Sequence, residues 1–250
     1  MANYTNSEVV SLPSKGEVYE KRINPEIKLR SMTTIEEMKR TSPSNLPYKS
    51  QSEVIEDCIV GDNKPSVYDL CLGDYQYLLY KLRVVTYGSI CKLAITCPNC
   101  GNVEEQEVDL DTLDLLEYDE DSFKDLIYLT LPTTKREVKL KLTTPRILDE
   151  IERKRNEILL KHPDDIDPRL SLTIQSLIET VDNSTLNRVQ LENFVQNLPM
   201  NDVNYILKKA EKLNGKLGFD NIIACHCNKC DSNFLSTFRI TQEFYGPSVD

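Results

Sequence analysis

The spacing of apolar positions changes character several times along the chain, and each change predicts a different element. Residues 1–16 are polar and read as an extended arm ending in the turn Leu12-Pro13-Ser14-Lys15-Gly16. Alternating apolar residues at 16–19 and 26–30 predict a hairpin closed around Asn24-Pro25. Thr33-Thr34-Ile35-Glu36-Glu37 predicts a short helix, because a threonine followed three residues later by glutamate can satisfy orphan amides at a helix start. Helical spacing then returns twice. Val54, Ile55, Cys58 and Ile59 predict a helix over 52–60. Leu78, Leu82 and Val85, beside Tyr75, Leu79 and Tyr87, predict one over 74–87. Asp74 is placed to cap this second helix and Gly88 to end it.

From Ile90 the period falls to two. Strands are predicted over 90–96 and 103–110, and a further hairpin with arms at 126–131 and 137–142 that turns near Pro132-Thr133-Thr134. From Thr144-Pro145, a cap followed by proline at the first helical position, the pattern is helical again. Ile147, Leu148, Ile151, Ile158 and Leu159 mark one helix. A second follows Asp167-Pro168 and runs through Val181, a short one lies within 184–198, and the last, capped by Asn201 or Asp202, ends near Gly215. The chain then returns to strand at Ile222-Ile223 and at 234–240.

Two cysteine turns interrupt the strands. Cys97-Pro98-Asn99-Cys100-Gly101 lies between the first pair, and Cys225-His226-Cys227-Asn228-Lys229-Cys230 between the last. Each Cys-x-x-Cys turn aims two sulfurs at one point, which suits a tetrahedral ion. Proline pre-sets φ in the first turn and glycine permits positive φ. Strand, metal turn, strand, twice over, is the plan of a zinc ribbon whose halves are separated by residues 101–226. Cys97, Cys100, Cys227 and Cys230 are therefore expected to bind one structural zinc, with iron as the other ion that four thiolates accept. Cys225 is open as a replacement for Cys227 and His226 as a spare ligand, although alternation should turn Cys225 toward the metal and His226 away. Cys58, Cys71 and Cys91, set among apolar neighbours, read as small buried hydrophobes.

The expected fold class is α+β: a discontinuous zinc-ribbon-like β unit with a helical insertion, and an N-terminal β-hairpin plus helices. Residues 1–90 would form the N-terminal region, 91–110 with 217–245 the ribbon-like unit, and 111–216 the hairpin and helical insertion.

Composition narrows the function. The 250 residues carry a net charge of −10, and 40% are hydrophobic, enough for a real core. Between Glu104 and Asp125, Lys124 is the only base. A nucleic-acid-binding or transcription-related zinc ribbon, the alternative reading, needs a basic face to displace counterions, and none is evident. No apolar run approaches a membrane span, and residues 1–5 carry neither the basic nor the apolar region of a secretory leader. Eight cysteines without such a leader favour metal over disulfides. A site closed by four cysteines leaves no open coordination position for catalysis. His162 and His226 are the only histidines. There is no His-Glu-x-x-His, phosphate loop or Gly-x-Gly-x-x-Gly, so no catalytic or cofactor-binding residue and no small-molecule substrate is expected.

Three stretches together carry a family likeness. They are Leu12-Pro13-Ser14-Lys15-Gly16 with Ile27-Lys28-Leu29-Arg30 and Glu36-Glu37; Asp74-Tyr75-Gln76-Tyr77-Leu78-Leu79-Tyr80-Lys81-Leu82-Arg83 with Tyr87-Gly88; and Cys97-Pro98-Asn99-Cys100-Gly101 running into Val108-Asp109-Leu110. In their order and spacing the chain resembles the baseplate hub proteins of T-even-type contractile-tail bacteriophages, clearly so over roughly the first 110 residues. The resemblance implies a non-enzymatic virus protein made in the host cytoplasm, a structural subunit or assembly factor whose partners are other hub or wedge proteins of the tail baseplate. It implies no catalytic residue.

Overall fold

A computed structural model describes residues 6–62, 64–164 and 166–237. The architecture is α+β, with small antiparallel sheets among eight helices of the described residues. Strand β1 (Ser7–Ser11) pairs with β2 (Glu26–Arg30), Ser7 opposite Arg30 and Ser11 opposite Glu26. The predicted hairpin is thus corrected: residues 16–19 form no strand, and the partner of β2 lies within the expected arm. The reason is the turn between them. Lys15 and Gly16 both take positive φ, 53° and 76°, and Ile23 donates its amide to the Gly16 carbonyl. A Cβ on Gly16 would stand 2.1 Å from the Ile23 carbonyl oxygen, so the turn closes too tightly to start a ladder there.

Helix α1 (Thr34–Thr41) begins where the threonine–glutamate spacing predicts, and the Glu36 carboxylate accepts from the Thr33 amide at 2.7 Å and hydroxyl at 2.6 Å. Its amphipathicity is inverted. Glu36 is buried while Ile35 and Met38 are each 65% exposed. The carboxylate is tolerated inside because Arg30 meets it at 2.8 Å, and Arg30 also donates to the Asp57 carbonyl at 2.9 Å. The Arg30 hydrogen bond holds Glu36 at about 2, below its ordinary 4.5. A depressed folded-state value means the stabilisation is complete above about pH 4.5 and drains away as pH falls toward 2. Thermal melting across that window is expected to show a decline of which Glu36→Gln removes on the order of 2 kcal/mol; a mutant with the wild-type acid profile would contradict it.

Helix α2 (Pro47–Cys58) starts five residues before the predicted start at Ser52. Its first turn is capped from outside: the Asp149 carboxylate accepts from the amides of Tyr48 at 3.3 Å and Lys49 at 2.8 Å. Helix α3 (Leu72–Tyr87) ends at Gly88, φ 89°, as its sequence predicts. It begins earlier than expected, and Asp74 is not its cap. Cys71 holds that position, while Asp74 sits fully buried in the first turn facing the Ser14 turn.

Strands β3 (Ile90–Thr96) and β4 (Val103–Asp109) pair with Ile90 opposite Asp109 and Thr96 opposite Val103. After β5 (Leu115–Leu116), the acidic stretch forms α4 (Glu120–Ile127) rather than a plain connection. Asp119 caps it through the Ser122 amide, and the early acids suit the positive end of the helix dipole. The expected 126–131 arm therefore shrinks to β6 (Tyr128–Thr130), paired with β7 (Glu137–Leu140). Helix α5 (Pro145–Lys161) has the predicted Thr144 cap. Helix α6 (Arg169–Leu177) stops earlier than expected, because residues predicted to continue it form β8 (Ile178–Val181) on the other edge of β7. The β-branched Ile178 and Val181 are buried there, and sheet pairing overrides the helical reading.

Helices α7 (Arg188–Gln196) and α8 (Met200–Asn214) follow. Neither Asn201 nor Asp202 caps α8; Pro199 occupies that position. Asp202 instead reaches the β6–β7 turn, accepting from the amides of Thr133 at 2.7 Å and Thr134 at 2.9 Å. Burial opposes its charge, but those donors win and hold it below the usual carboxylate range. Strand β9 (Gly218–Phe219) pairs with β5, and β10 (Ile222–Cys227) with β11 (Ser232–Thr237). The last strand begins two residues earlier than expected, and its predicted end at 238–240 lies outside the described residues.

Two apolar clusters fill the interior. One joins β1, β2, α2 and α3 with Cys91, Ile95, Ile223 and Cys225 of the cysteine hairpins. The other joins β6, β7 and β8 with α6 and α8. They meet where the start of α3 abuts the returning chain. A Cβ on Gly73 would lie 2.5 Å from the Leu217 Cβ, so only glycine allows that approach. No helix among the described residues is long and apolar enough to cross a membrane.

Candidate metal centre

Both cysteine turns are built the same way. In the first, Cys97 donates its amide to the Asn102 carbonyl at 2.8 Å, and the Gly101 amide returns to the Cys97 carbonyl at 3.0 Å. In the second, the Asp231 amide reaches the Cys227 carbonyl at 2.8 Å. The residue after each second cysteine is left-handed: Gly101 at φ 69° and Asp231 at φ 55°. Aspartate is among the few side chains that tolerate this region. A Cβ at Gly101 would meet nothing within 4 Å, so only backbone strain opposes it. Gly101→Ala is accordingly expected to lower stability by about 1 kcal/mol, read as a shifted urea midpoint at unchanged slope.

The chain brings the two turns together. The sulfurs of Cys97, Cys100, Cys227 and Cys230 all lie within 4.8 Å of one another. Cys97 and Cys230 are 3.7 Å apart, as are Cys100 and Cys227. A tetrahedral ion with sulfur ligands at about 2.3 Å requires sulfur–sulfur edges of about 3.8 Å, whereas a disulfide requires about 2.05 Å. All eight cysteines are free thiols. Cys97 and Cys227 are buried and Cys100 and Cys230 are exposed, so the cluster sits at the surface end of the two hairpins.

Charge favours a cation at its centre. Burial works against ionisation of Cys97, but the Ser232 hydroxyl and the amides of Cys100 and Asn99 outweigh it and bring the thiol down to about 6. Cys100 is pulled down by the Asn102 amide, yet burial and the neighbouring sulfurs win and push it up to about 12. One thiolate in the cluster makes the next unfavourable, and only a positive ion lets all four ionise together. Around the sulfurs the hairpins are tied by polar contacts. Asn228 donates its amide to Glu104 at 3.1 Å, and the Gln106 side-chain amide donates to the His226 carbonyl at 2.6 Å.

Cys225 faces the same side of β10 as Cys227 but lies outside the sulfur cluster. It is buried among the first group of apolar residues, its sulfur 3.7 Å from the Ile223 carbonyl, and burial pushes its thiol up. His226 is on the opposite, exposed face, bonded to Asn233 at 3.0 Å. Cys58, Cys71 and Cys91 are buried. His162 ends α5 as its C-cap. Among the described residues these four sulfurs form the only group of three or more metal-ligating side chains placed close enough to share an ion.

A polar node hidden from periodicity lies at the Ser14 turn. Asp74 accepts from the Ser14 amide at 2.9 Å, the Ser14 hydroxyl at 2.5 Å and the Tyr19 hydroxyl at 2.6 Å. Tyr19 also accepts from the Cys71 amide at 3.2 Å. Burial pushes the Asp74 carboxyl above its ordinary value despite these donors. The only sequence signal for this node is the turn-forming run Leu12-Pro13-Ser14-Lys15-Gly16.

Neither the curated proteins nor the solved structures contain a match to this chain. A family model does: that of the T4 bacteriophage base plate protein matches residues 4–244.

Proposed function

The chain belongs to the T4 bacteriophage base plate protein family, and from that premise we propose that it is a structural or assembly subunit of the baseplate hub. It acts through contacts with other hub or wedge proteins rather than by catalysis. It is made in the host cytoplasm and carried into the tail baseplate. The observation that carries this reading is the family match over nearly the whole chain.

In this reading the ion is zinc, held by Cys97, Cys100, Cys227 and Cys230, and the sulfurs lying within 4.8 Å of one another support it. It would do mechanical work. Cys100 and Cys227 are separated by 127 positions, so one ion closes the whole helical segment into a loop with fixed ends. In this reading residues 1–90, residues 91–110 with 217–245, and residues 111–216 are the three units, with the clamp at the base of the third. A protein rigid at that joint can present several faces to neighbours in fixed relation.

The test is fractionation of infected cells. The protein should co-sediment with hub intermediates, and mass spectrometry should find it there with hub or wedge proteins. A protein that never leaves the top of the gradient would sink the proposal.

A further inference from the structure

The likeness of the two cysteine turns continues past their second cysteines. Cys100 is followed by left-handed Gly101 and then Asn102; Cys230 is followed by left-handed Asp231 and then Ser232. The Asn102 amide is bonded to the Cys100 sulfur. At the equivalent place in the second turn, the Ser232 hydroxyl lies 3.1 Å from the Cys230 sulfur. The same hydroxyl lies 3.6 Å from the sulfur of Cys97. Those two sulfurs belong to different turns and are 3.7 Å apart, so one side chain covers an edge of the cluster that crosses from one hairpin to the other.

The sheet holds Ser232 there. It is the first residue of β11 and stands opposite Cys227 in the ladder. Residues directly opposite project to the same side of a sheet, so the hydroxyl accompanies the Cys227 sulfur toward the cluster. A serine hydroxyl can donate or accept. Sulfurs that bind a metal are thiolates with no proton to give, so beside an ion the hydroxyl is the donor. Its one proton goes to the nearer sulfur, Cys230, since Cys97 already receives the amides of Asn99 and Cys100. A divalent ion among four thiolates leaves the centre net negative, and donors to the sulfurs disperse that charge. Cys230 is also exposed, and an exposed thiolate is the one a competing reagent reaches first.

We infer that Ser232 is a positioning residue for the metal: its hydroxyl donates to the Cys230 thiolate and tightens the ion's hold at the exposed corner where the two hairpins join. Ser232 is not itself a ligand, because the four sulfurs complete a tetrahedron. This role presupposes the zinc clamp proposed for those sulfurs.

The test uses the full chain loaded with zinc and, in parallel, with cobalt(II), whose sulfur-to-metal charge-transfer band reports the electron density on the sulfurs. Zinc affinity is read by competition with a chromophoric chelator. Ser232→Ala is expected to weaken zinc binding about tenfold or more. It should also move the cobalt band to longer wavelength, because a sulfur that loses a hydrogen bond holds its electrons less tightly. Ser232→Thr, which keeps the hydroxyl and suits a strand, should restore both. Ser236→Ala, the same change farther along β11, should alter neither. Affinity of Ser232→Ala within about threefold of the wild type would mean that water serves Cys230 equally well, and would overturn this role. So would a loss of affinity with an unmoved band, which would place the effect in the packing of the turn, or a threonine variant that fails to restore both readouts. Each of those results leaves the clamp standing. Wild-type chain that takes up neither metal would overturn the clamp and the role of Ser232 together. Co-sedimentation with hub intermediates tests the functional proposal separately.

Discussion

Stripping the zinc proposed for the four sulfurs with a high-affinity chelator is expected to loosen both cysteine hairpins and lower the stability of the chain by about 5 kcal/mol. The figure follows from chain entropy. A cross-link closing a loop of the 127 positions between Cys100 and Cys227 removes roughly that much freedom from the unfolded ensemble. Free sulfurs held 3.7 Å apart also repel as they ionise, so the metal-free cluster relaxes rather than persists. Hydrogen exchange should accelerate over β3–β4 and β10–β11. The second apolar cluster, packed on its own helices, should be protected longer. Cys97→Ala and Cys227→Ala should reproduce the effect and abolish metal content, whereas Cys225→Ala should keep one ion per chain. Purified protein without metal that melts as well as with it would refute the clamp. Acid should release the ion as well, since thiolates must be protonated for it to leave.

Asp74→Ala is expected to cost about 4 kcal/mol, since it strands several buried donors at once. Three hydrogen bonds end on this carboxylate, two buried ones from Ser14 and a half-buried one from Tyr19. Losing them unseats the Ser14 turn from α3, and with it the turn that sets β1 against β2. Asp74→Asn should cost less, because its oxygen still accepts while its NH2 faces donors. The raised carboxyl gives a sign check. A group whose folded-state value lies above its unfolded one stabilises the fold as pH drops, opposite to Glu36. Asp74→Asn should therefore steepen the acid decline, and Glu36→Gln should flatten it. Urea unfolding at several pH values measures both; a loss below about 1 kcal/mol in Asp74→Ala would show the node to be dispensable.

Several elements were legible because their causes span only a few residues. The Thr33–Glu36 spacing starts α1, Thr144-Pro145 starts α5, Gly88 stops α3, and alternation over Ile90–Thr96 makes a strand. The two cysteine turns belong here as well, since each closes through its own backbone. Other elements depended on partners far away in the chain. The start of α2 is set by Asp149, 101 positions from Tyr48. The partner of β2 depends on a turn that docks on Asp74, 60 positions from Ser14. Asp202 looked like a helix cap and serves a turn 69 positions away. Strand β8 looked helical until β7 supplied a buried edge.

The chain alone thus determined its α+β class, its cysteine turns and the helices whose caps are local. Which sulfurs converge, why Cys225 stays in the apolar cluster, and where the buried aspartates are spent were settled only in three dimensions. The physical reason is range. A cap or turn is satisfied within three or four residues and is written in the local sequence. A buried donor is satisfied by whichever acceptor packing brings to it, and no local pattern specifies that choice.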